Sequence, residues 1–522
     1  MNEIKNEHER AALHSTIWRI ANDLRGSVDG WDFKQYVLGM LFYRFISENL
    51  TSYINENERI HNIDFDYSNL SDLEAERDKV NILKEKGYFI YPSELFDNVR
   101  KLSFKENNLN EILERIFHNI EASSKGTESE NNMKGLFNDI DINSNKLGAT
   151  VAKRNEKLIK LMNAIGDLNF RNYSESTIDL FGDAYEYLMT MYAANAGKSG
   201  GEFFTPQEVS ELLARITVVD KSQVNKVYDP ACGSGSLLLQ FAKVLGKENV
   251  ISGFFGQETN ITTYNLCRIN MFLHNINYEK FNIGHGDTLI DPKHWDDEPF
   301  EAIVSNPPYS IKWEGDTNPL LINDERFTPA GVLAPKSKAD LAFVMHILSW
   351  LATNGTAAIV SFPGILYRSG AEHKIRKYLV DNNFIDAIIQ LPSDLFFGTS
   401  IATCILVLKK NKINNKTLFI DASKEFVRGS AKNKLDRPNI DRILEVYKNR
   451  ETKEHFSCLV EYSKIVENDY NISVGSYVEQ KDMREVINIE KLNASIAQIV
   501  KRQSELRAEI DAIVAELEGK AQ

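Results

Sequence analysis

The clearest indication of the fold in this 522-residue chain is Val227-Tyr228-Asp229-Pro230-Ala231-Cys232-Gly233-Ser234-Gly235. An apolar pair leads into a glycine turn, and a helix-forming run from Ser236 to Phe241 follows it. Glycines let the backbone approach a ligand closely, as in nucleotide-type cofactor sites at the carboxyl ends of parallel strands. The free N–H groups at the start of the helix add to such a site. Because the Gly-Lys-Ser/Thr ending of a phosphate loop is absent, this stretch predicts a cofactor site and not an NTPase.

Short apolar runs of strand length continue on the C-terminal side of this turn. They occur at 226–228, 250–255, 302–305, 356–362, 384–390 and 403–408, with helix-length segments between most of them. This alternation predicts βαβ units, and therefore an α/β fold with a mainly parallel sheet.

Acidic residues lie at the ends of two neighbouring strands. Glu258 ends the run after the glycine turn, 23 residues beyond Gly235, and Asp287 follows a short predicted strand at 281–283. An acid about 20 positions beyond a glycine turn is placed to hydrogen-bond ribose hydroxyls. Because the carboxyl ends of parallel strands share one edge, both acids are expected at one crevice.

The turn Asn306-Pro307-Pro308-Tyr309 follows the run at 302–305. Its two prolines fix a rigid, extended turn that cannot continue the strand ladder. It presents the Asn306 side-chain carbonyl and the Pro307 backbone carbonyl as acceptors, with the Tyr309 ring beside them. Two acceptors and an aromatic face suit a planar amino group on a stacked ring. The four residues alone are a common loop sequence, so the interpretation depends on their place behind a glycine turn and two strand-end acids.

Helical patterns flank the predicted sheet. One apolar face contains Leu13, Ile17, Ile20 and Leu24, and another contains Phe33, Val37, Met40 and Leu41. The patterns predict three domains: an α-helical N-terminal domain at 1–150, a catalytic domain at 151–480, and a coiled-coil-like helix at 481–522. The last helix has apolar residues spaced alternately four and three apart, interrupted by one polar residue: Leu492, Ile496, Ile499, Gln503, Leu506, Ile510, Ile513 and Leu517. This narrow seam favours pairing with another helix over lying on its own domain.

The set of motifs resembles S-adenosylmethionine-dependent amino-methyltransferases, and more closely the modification (M) subunit of type I restriction–modification systems. Three further stretches contribute to the resemblance, namely Trp31–Leu38, Gly201-Glu202-Phe203-Phe204-Thr205-Pro206 and Asp340-Leu341-Ala342-Phe343. The resemblance implies a Rossmann-like catalytic domain with a mainly parallel seven-stranded sheet. It also implies transfer of a methyl group from S-adenosyl-L-methionine to N6 of a flipped adenine in DNA.

The family's roles fall on matching positions of this sequence. Asn306, Pro307, Pro308 and Tyr309 would take the target adenine. Glu258 would bind the cofactor ribose and Asp287 its adenine. The resemblance assigns the rest of the cofactor pocket to Glu202, Phe203, Phe204, Thr205, Pro206, Asp229, Ala231, Gly233, Ser234 and Gly235. It implies no metal.

The resemblance also implies partners: DNA, a specificity subunit that reads the sequence, a second copy of this chain, and a restriction subunit. Two other functions stay open, a glutamine-N5 or RNA guanine-N2 methyltransferase and an inactive scaffold that retains the fold. The first alternative uses the same Asn-Pro-Pro-Tyr turn. The large helical N-terminal region and the length of the chain count against it.

Composition excludes several classes. The chain has 61 Lys and Arg against 74 Asp and Glu, a net charge of −13, which argues against non-specific coating of nucleic acid. No signal peptide or apolar run of membrane-spanning length is present, so a cytoplasmic location is expected.

Residues 409–454 hold 13 Lys and Arg against 7 Asp and Glu, a local charge of +6. They are a candidate contact with the DNA backbone, the alternative being a solvated helix face. The long stretch 311–338 has few structure signals, which makes either a functional loop or a surface excursion possible.

Overall fold

The structure is a computed structural model that describes residues 14–15, 17–18, 32–103, 107–168, 180–195, 205–396, 399–429, 432–480 and 489–519. Contacts divide the chain into two compact units, Met1–Val478 and Glu479–Gln522. The sequence predictions for Leu13, Ile20, Leu24, Trp31, Gly201, Glu202, Phe203 and Phe204 fall outside the described residues. The domain boundaries at 150 and 480 stay predictions.

A large mixed sheet runs through the first unit and contains nine strands among the described residues. The strands are β1 (Val224–Asp229), β2 (Val250–Glu258), β3 (Phe281–His285), β4 (Phe300–Ser305), β5 (Leu351–Ser361), β6 (Ile385–Gln390), β7 (Cys404–Lys409), β8 (Thr417–Asp421) and β11 (Ser457–Val460). Their order is β11-β8-β6-β7-β5-β4-β1-β2-β3, with β7 antiparallel to both neighbours and β11 antiparallel to β8. Two further strands, β9 (Val427–Arg428) and β10 (Asn433–Lys434), form a separate hairpin.

The predicted count of seven strands is wrong. The first seven strands in the chain do form one continuous block, but β8 and β11 extend the sheet beyond β6. The β8 strand lies inside the charge-rich stretch 409–454, where its short apolar centre, Leu418-Phe419-Ile420, is flanked by lysines and acids. The charged residues around this short apolar run therefore concealed a buried strand in the sequence pattern. The predictions of an α/β fold and a mainly parallel sheet are confirmed.

Helices cover both faces of the sheet. The helices are α1 (Asp32–Glu58), α2 (Asp72–Ala75), α3 (Lys79–Lys86), α4 (Phe96–Ser103), α5 (Leu109–Ser123), α6 (Glu130–Met133), α7 (Val151–Gly166), α8 (Leu180–Asn195), α9 (Gln207–Thr217), α10 (Ser236–Leu245), α11 (Ile261–Leu273), α12 (Asp340–Trp350), α13 (Ala371–Asp381), α14 (Arg437–Asn449), α15 (Tyr462–Glu467) and, in the second unit, α16 (Ile489–Gly519).

Alternate residues of the central strands point into different cores, as the two-residue period of a strand requires. Val227 of β1 belongs to the core that also contains residues of the N-terminal helices, α9, α10 and α11, whereas Tyr228 belongs to the core that contains residues of α12 and α13. Ala302 and Ile303 of β4 divide in the same way. Burial on both faces accounts for the continuous apolar runs seen in the sequence.

In the second unit the structure describes one helix, α16, of 31 residues. The apolar members of its predicted seam are between 43% and 67% exposed. None of the helices within the described ranges is long and apolar enough to cross a membrane.

Candidate active site

The candidate site lies at the carboxyl edge of four adjacent strands, β3, β2, β1 and β4. Strand β1 ends at Asp229, β2 ends at Glu258, and Asn306 follows the last residue of β4. Asp287 lies two residues beyond the end of β3. The sequence-predicted residues that the structure describes therefore share the edge where α/β sheets bind ligands.

The glycine turn has a backbone that favours glycine. Gly233 and Gly235 have positive φ values of 54° and 81°. A Cβ atom on Gly235 would lie 2.8 Å from Sγ of Cys267 on α11. The carbonyl of Ser234 accepts a hydrogen bond of 2.9 Å from the Asn270 side chain, which ties the turn to the same helix. The turn is therefore shaped by close packing on α11 as well as by its own conformation.

Asp229 is fully buried at the floor of the site. Its Oδ1 accepts a hydrogen bond of 3.0 Å from the Ala231 N–H, while Oδ2 makes none with the described residues. The buried Ser305 hydroxyl, at the end of the neighbouring β4, lies close enough to this carboxylate to act against the effect of burial on its pKa, although neither that hydroxyl nor Oδ2 makes a hydrogen bond of full geometry with the described residues. Burial raises the pKa of Asp229 to about 7. A buried acid with an unsatisfied oxygen suits a cationic hydrogen-bond donor from a ligand.

Glu258 contacts the glycine turn directly. Its two carboxylate oxygens accept hydrogen bonds from the N–H groups of Gly233, at 3.1 Å, and Asn260, at 2.8 Å. Burial raises the pKa of Glu258. Asp287 is exposed, and its Oδ1 accepts a 2.9 Å hydrogen bond from the Leu289 N–H. Each carboxylate keeps acceptor capacity for a further donor, because a carboxylate accepts about four hydrogen bonds.

The Asn306 amide is held from both sides. Its Nδ2 donates to Thr205 Oγ1 at 2.9 Å, and its Oδ1 accepts from the Tyr309 hydroxyl at 2.6 Å. Thr205 is buried, as are Pro206 and Pro307, whereas Pro308 is exposed. Burial raises the pKa of Tyr309, so its phenol stays a neutral donor. The structure thus joins the stretch before the glycine turn to the Asn-Pro-Pro-Tyr turn, a link that the sequence motifs did not show.

Asp340, for which no role was predicted, holds the end of the Asn-Pro-Pro-Tyr turn in place. Both of its carboxylate oxygens accept from the N–H of Ser310, at 3.1 and 3.2 Å. Ser310 has a φ of 51° and directly follows Tyr309. The only sequence signal for Asp340 was its place in the Asp-Leu-Ala-Phe stretch of the resemblance.

Arg326 anchors the long segment 311–338 and was also missed. The buried guanidinium donates to the carbonyls of Thr288 and Leu289, at 2.8 Å each, directly after Asp287. It also pairs with Asp324 at 2.7 Å. With Leu321 and Phe327 in the core, this segment packs on the domain instead of forming an open loop.

Cys232 is a structural residue of the turn. It is buried, its Sγ lies 3.9 Å from that of Cys267, and burial raises its pKa well above the usual thiol value. A buried thiol of high pKa is a poor nucleophile. In the part of the chain that the structure describes, no group of His, Cys, Asp or Glu side chains could hold a metal ion.

The basic stretch 409–454 is largely compensated by acids of the same fold. Eight of its cations form ion pairs: Lys409, Lys416, Lys432, Arg437, Arg442, Lys448, Arg450 and Lys453. Arg450, for example, lies 2.9 Å from Asp386, which is 64 residues away in the chain. The proposed DNA contact of this stretch stays a prediction, with less free charge than the sequence suggested.

Two family models cover most of the chain. The one described as HsdM N-terminal domain matches residues 13–165, and the one described as N-6 DNA Methylase matches residues 176–486. The chain belongs to the N-6 DNA methylase family. The family confirms the class expected from the sequence, a DNA methyltransferase of the N6-adenine type.

Relatives and solved structures agree with this family. The chain is 51% identical to the type I restriction enzyme MpnII methylase subunit of Mycoplasma pneumoniae, over 99% of this chain and 98% of that protein. It is 33% identical to the MjaVII methylase subunit of Methanocaldococcus jannaschii, over 70% and 66% of the two chains. The structure of a type I restriction–modification methyltransferase subunit from Streptococcus thermophilus superposes with a TM-score of 0.81 at 36% identity, covering 90% of this chain and all of that one. The predicted resemblance to type I modification subunits is confirmed.

Proposed function

We propose that this chain transfers a methyl group from S-adenosyl-L-methionine to N6 of adenine in DNA, as the modification subunit of a type I restriction–modification complex. The observation that carries the proposal is the Asn306 amide, held between Thr205 and Tyr309 at the strand edge that also carries the glycine turn. Family membership over both the N-terminal and the catalytic regions favours DNA over a peptide glutamine or RNA guanine.

The residues of the crevice fit the cofactor. The unsatisfied Oδ2 of Asp229 suits the ammonium group of the methionine part. Gly233 and Gly235 have no side chain, so the cofactor could approach the backbone closely beside Asp229. Glu258 would accept from the ribose hydroxyls, and Asp287 from the adenine amino group. Glu202, Phe203 and Phe204 stay predicted members of the pocket. When bound, the cofactor supplies an electrophilic methyl group on its sulfonium.

The catalytic turn would activate adenine by positioning. The N6 lone pair is delocalised into the ring, so N6 is a weak nucleophile. Hydrogen bonds from N6–H to Asn306 Oδ1 and the Pro307 carbonyl would favour a tetrahedral nitrogen and aim its lone pair at the methyl group. Oδ1 already accepts from Tyr309, but a carbonyl oxygen has a second lone pair. Asn306 is neutral, so the N6 proton leaves to water after transfer.

The Tyr309 ring would stack on the flipped adenine. Base–aromatic stacking contributes about 1–3 kcal/mol. Extrusion is needed because N6 is out of reach inside a duplex.

The exposed seam of α16 is the proposed docking site for the specificity subunit. Apolar residues spaced four and three apart suit a partner helix, and Gln503 within the seam would select the partner and its register. A second copy of this chain and a restriction subunit would complete the assembly.

The test compares wild type with Asn306→Ala in the complex with its specificity subunit. Nucleoside mass analysis should find N6-methyladenine in DNA with wild type and none with the variant. Cofactor affinity, measured by calorimetry, should stay within about threefold because the proposed role of Asn306 is to bind the target base and not the cofactor. Methylation retained by the variant would refute the role of Asn306, and methylated peptide or RNA in place of DNA would refute the proposed substrate. Full-rate methylation of a defined DNA sequence by the chain alone would refute the need for a partner.

A further inference from the structure

The segment after the catalytic turn closes into a stem, formed by residues 311–313 and 335–339. The Trp313 N–H donates to the Lys336 carbonyl at 3.0 Å, and the Ala339 N–H donates to the Ile311 carbonyl at 3.0 Å. The Trp313 indole N–H adds a 3.1 Å bond to the carbonyl of Pro335. One arm of the stem, residues 311–313, follows Ser310 directly. The other arm, residues 335–339, leads into Asp340, whose carboxylate accepts a hydrogen bond from the Ser310 N–H. The stem is therefore fixed beside Tyr309.

The stem carries three lysines, Lys312, Lys336 and Lys338, and no acid. Lys312 and Lys336 are exposed and Lys338 is half-buried. None of the three has an ion-pair partner within 4 Å among the described residues, which sets them apart from the paired cations of 409–454. Burial raises the pKa of Glu372, and Arg368, 3.5 Å away, opposes that rise more strongly than Lys338 does.

The acids of the same segment lie in the excursion between the two arms of the stem, two of them directly after Trp313. These are Glu314, Asp316, Asp324 and Glu325. Asp324 is already paired with Arg326. The stem itself therefore carries only positive charge, although Glu314 and Asp316 lie next to it, since a Cβ on Gly315 between these two acids would be 3.1 Å from Lys336.

We propose that Lys312, Lys336 and Lys338 bind backbone phosphates of the DNA that flank the flipped adenine. The inference rests on the proposed function and adds the surface through which this chain holds its substrate. A chain of net charge −13 repels DNA overall, so its contact must be local and basic. Flipping rotates a nucleotide about its backbone, and phosphates held on both sides of it would provide the fixed points. Lysines act as point charges on phosphate and need no preformed acidic partner.

The experiment uses the complex with its specificity subunit and a salt series of DNA-binding measurements. The stem variant is the triple substitution K312Q/K336Q/K338Q. Each phosphate contact contributes about 0.9 to the slope of log K against log salt, so the slope should flatten by up to about 2.7. Affinity at low salt should fall at least tenfold, while cofactor affinity stays unchanged.

Two further variants make the outcome decisive. The control K160Q/K377Q/K464Q removes the same charge from ion-paired lysines outside both the stem and the stretch 409–454, and its slope should match wild type. The charge-preserving K312R/K336R/K338R should also keep the slope. An unchanged slope in the stem variant, or an equal loss in the control, would overturn the proposal. If the triple variant does not fold, each single Lys→Gln variant should flatten the slope by about 0.9.

Failure of the proposed function has a different signature. In that case the wild-type complex methylates no DNA and shows no salt-dependent DNA binding. RNA bound by the stem in preference to DNA would overturn the proposed ligand while leaving the basic surface in place.

Discussion

Replacing Thr205 by valine tests how the Asn306 amide, proposed to bind the target base, is held. Valine keeps the shape of threonine but removes the oxygen that accepts from Asn306 Nδ2 at 2.9 Å. Thr205 is buried, so the amide N–H loses its partner in a site with little water. An unsatisfied buried donor costs about 1–3 kcal/mol, and the lower part of that range applies because Asn306 itself is only half-buried. A loss of about 1–2 kcal/mol corresponds to a rate reduced about 5- to 30-fold.

The assay is single-turnover methylation of DNA by the complex at saturating cofactor and DNA. Thr205→Ser is the matched control, since serine restores the acceptor oxygen, and its rate should lie within about threefold of wild type. Cofactor affinity is measured separately by calorimetry because Thr205 is also a predicted member of the cofactor pocket. A valine variant as fast as wild type would refute the reasoning, as would a serine variant as slow as valine. A defect confined to cofactor affinity would assign Thr205 to binding alone.

Three further predictions concern the floor of the site, the glycine turn and the terminal helix. In the folded chain the pKa of Asp229 is about 7 instead of its usual 3.8, so the folded state holds a proton that the unfolded state releases between these pH values, and the free energy of unfolding falls as the pH rises through that window. Asp229→Asn should therefore raise the melting temperature at pH 8 and not at pH 3. Gly235→Ala should lower the melting temperature more than Gly331→Ala, because both have positive φ but only Gly235 would also meet a sulfur at 2.8 Å; equal shifts would contradict this. Gln503→Leu should strengthen self-association of the full chain in sedimentation experiments, because an apolar seam no longer selects its partner; an unchanged sedimentation coefficient at all concentrations would count against a pairing seam.

The sequence predicted those parts of the fold that depend on local apolar runs. Strands β1, β2 and β4 to β7 were visible because they are largely buried and contain continuous apolar runs, whereas β3 alternates buried and exposed residues and showed only as a short run at 281–283. Strand β8 was not visible, since only Leu418, Phe419 and Ile420 separate its flanking charges. Glu258 and Asn306 were expected at one edge because strand ends converge, and the structure places them there.

The links between distant side chains could not be predicted. Thr205 and Asn306 are 101 residues apart, and their hydrogen bond depends on how α9 packs beside β4. Charge counting failed for a similar reason. Lys448 pairs with Asp220, from a part of the chain far from the basic stretch, so a local excess of lysine did not mean free positive charge.

Arg326 connects the loop after β3 with the segment that follows the Asn-Pro-Pro-Tyr turn. Its guanidinium donates hydrogen bonds to the carbonyls of Thr288 and Leu289, which follow Asp287. The stem of the same segment leads into Asp340, which accepts a hydrogen bond from Ser310, the residue after Tyr309. One covalent segment therefore holds both the loop proposed to bind the cofactor adenine and the turn proposed to bind the target base. Motion of either loop strains the other, and equilibrium linkage makes such coupling reciprocal. Binding of cofactor and binding of DNA should accordingly be coupled, and substitutions at Arg326 should bring the factor by which each changes the other's affinity closer to one.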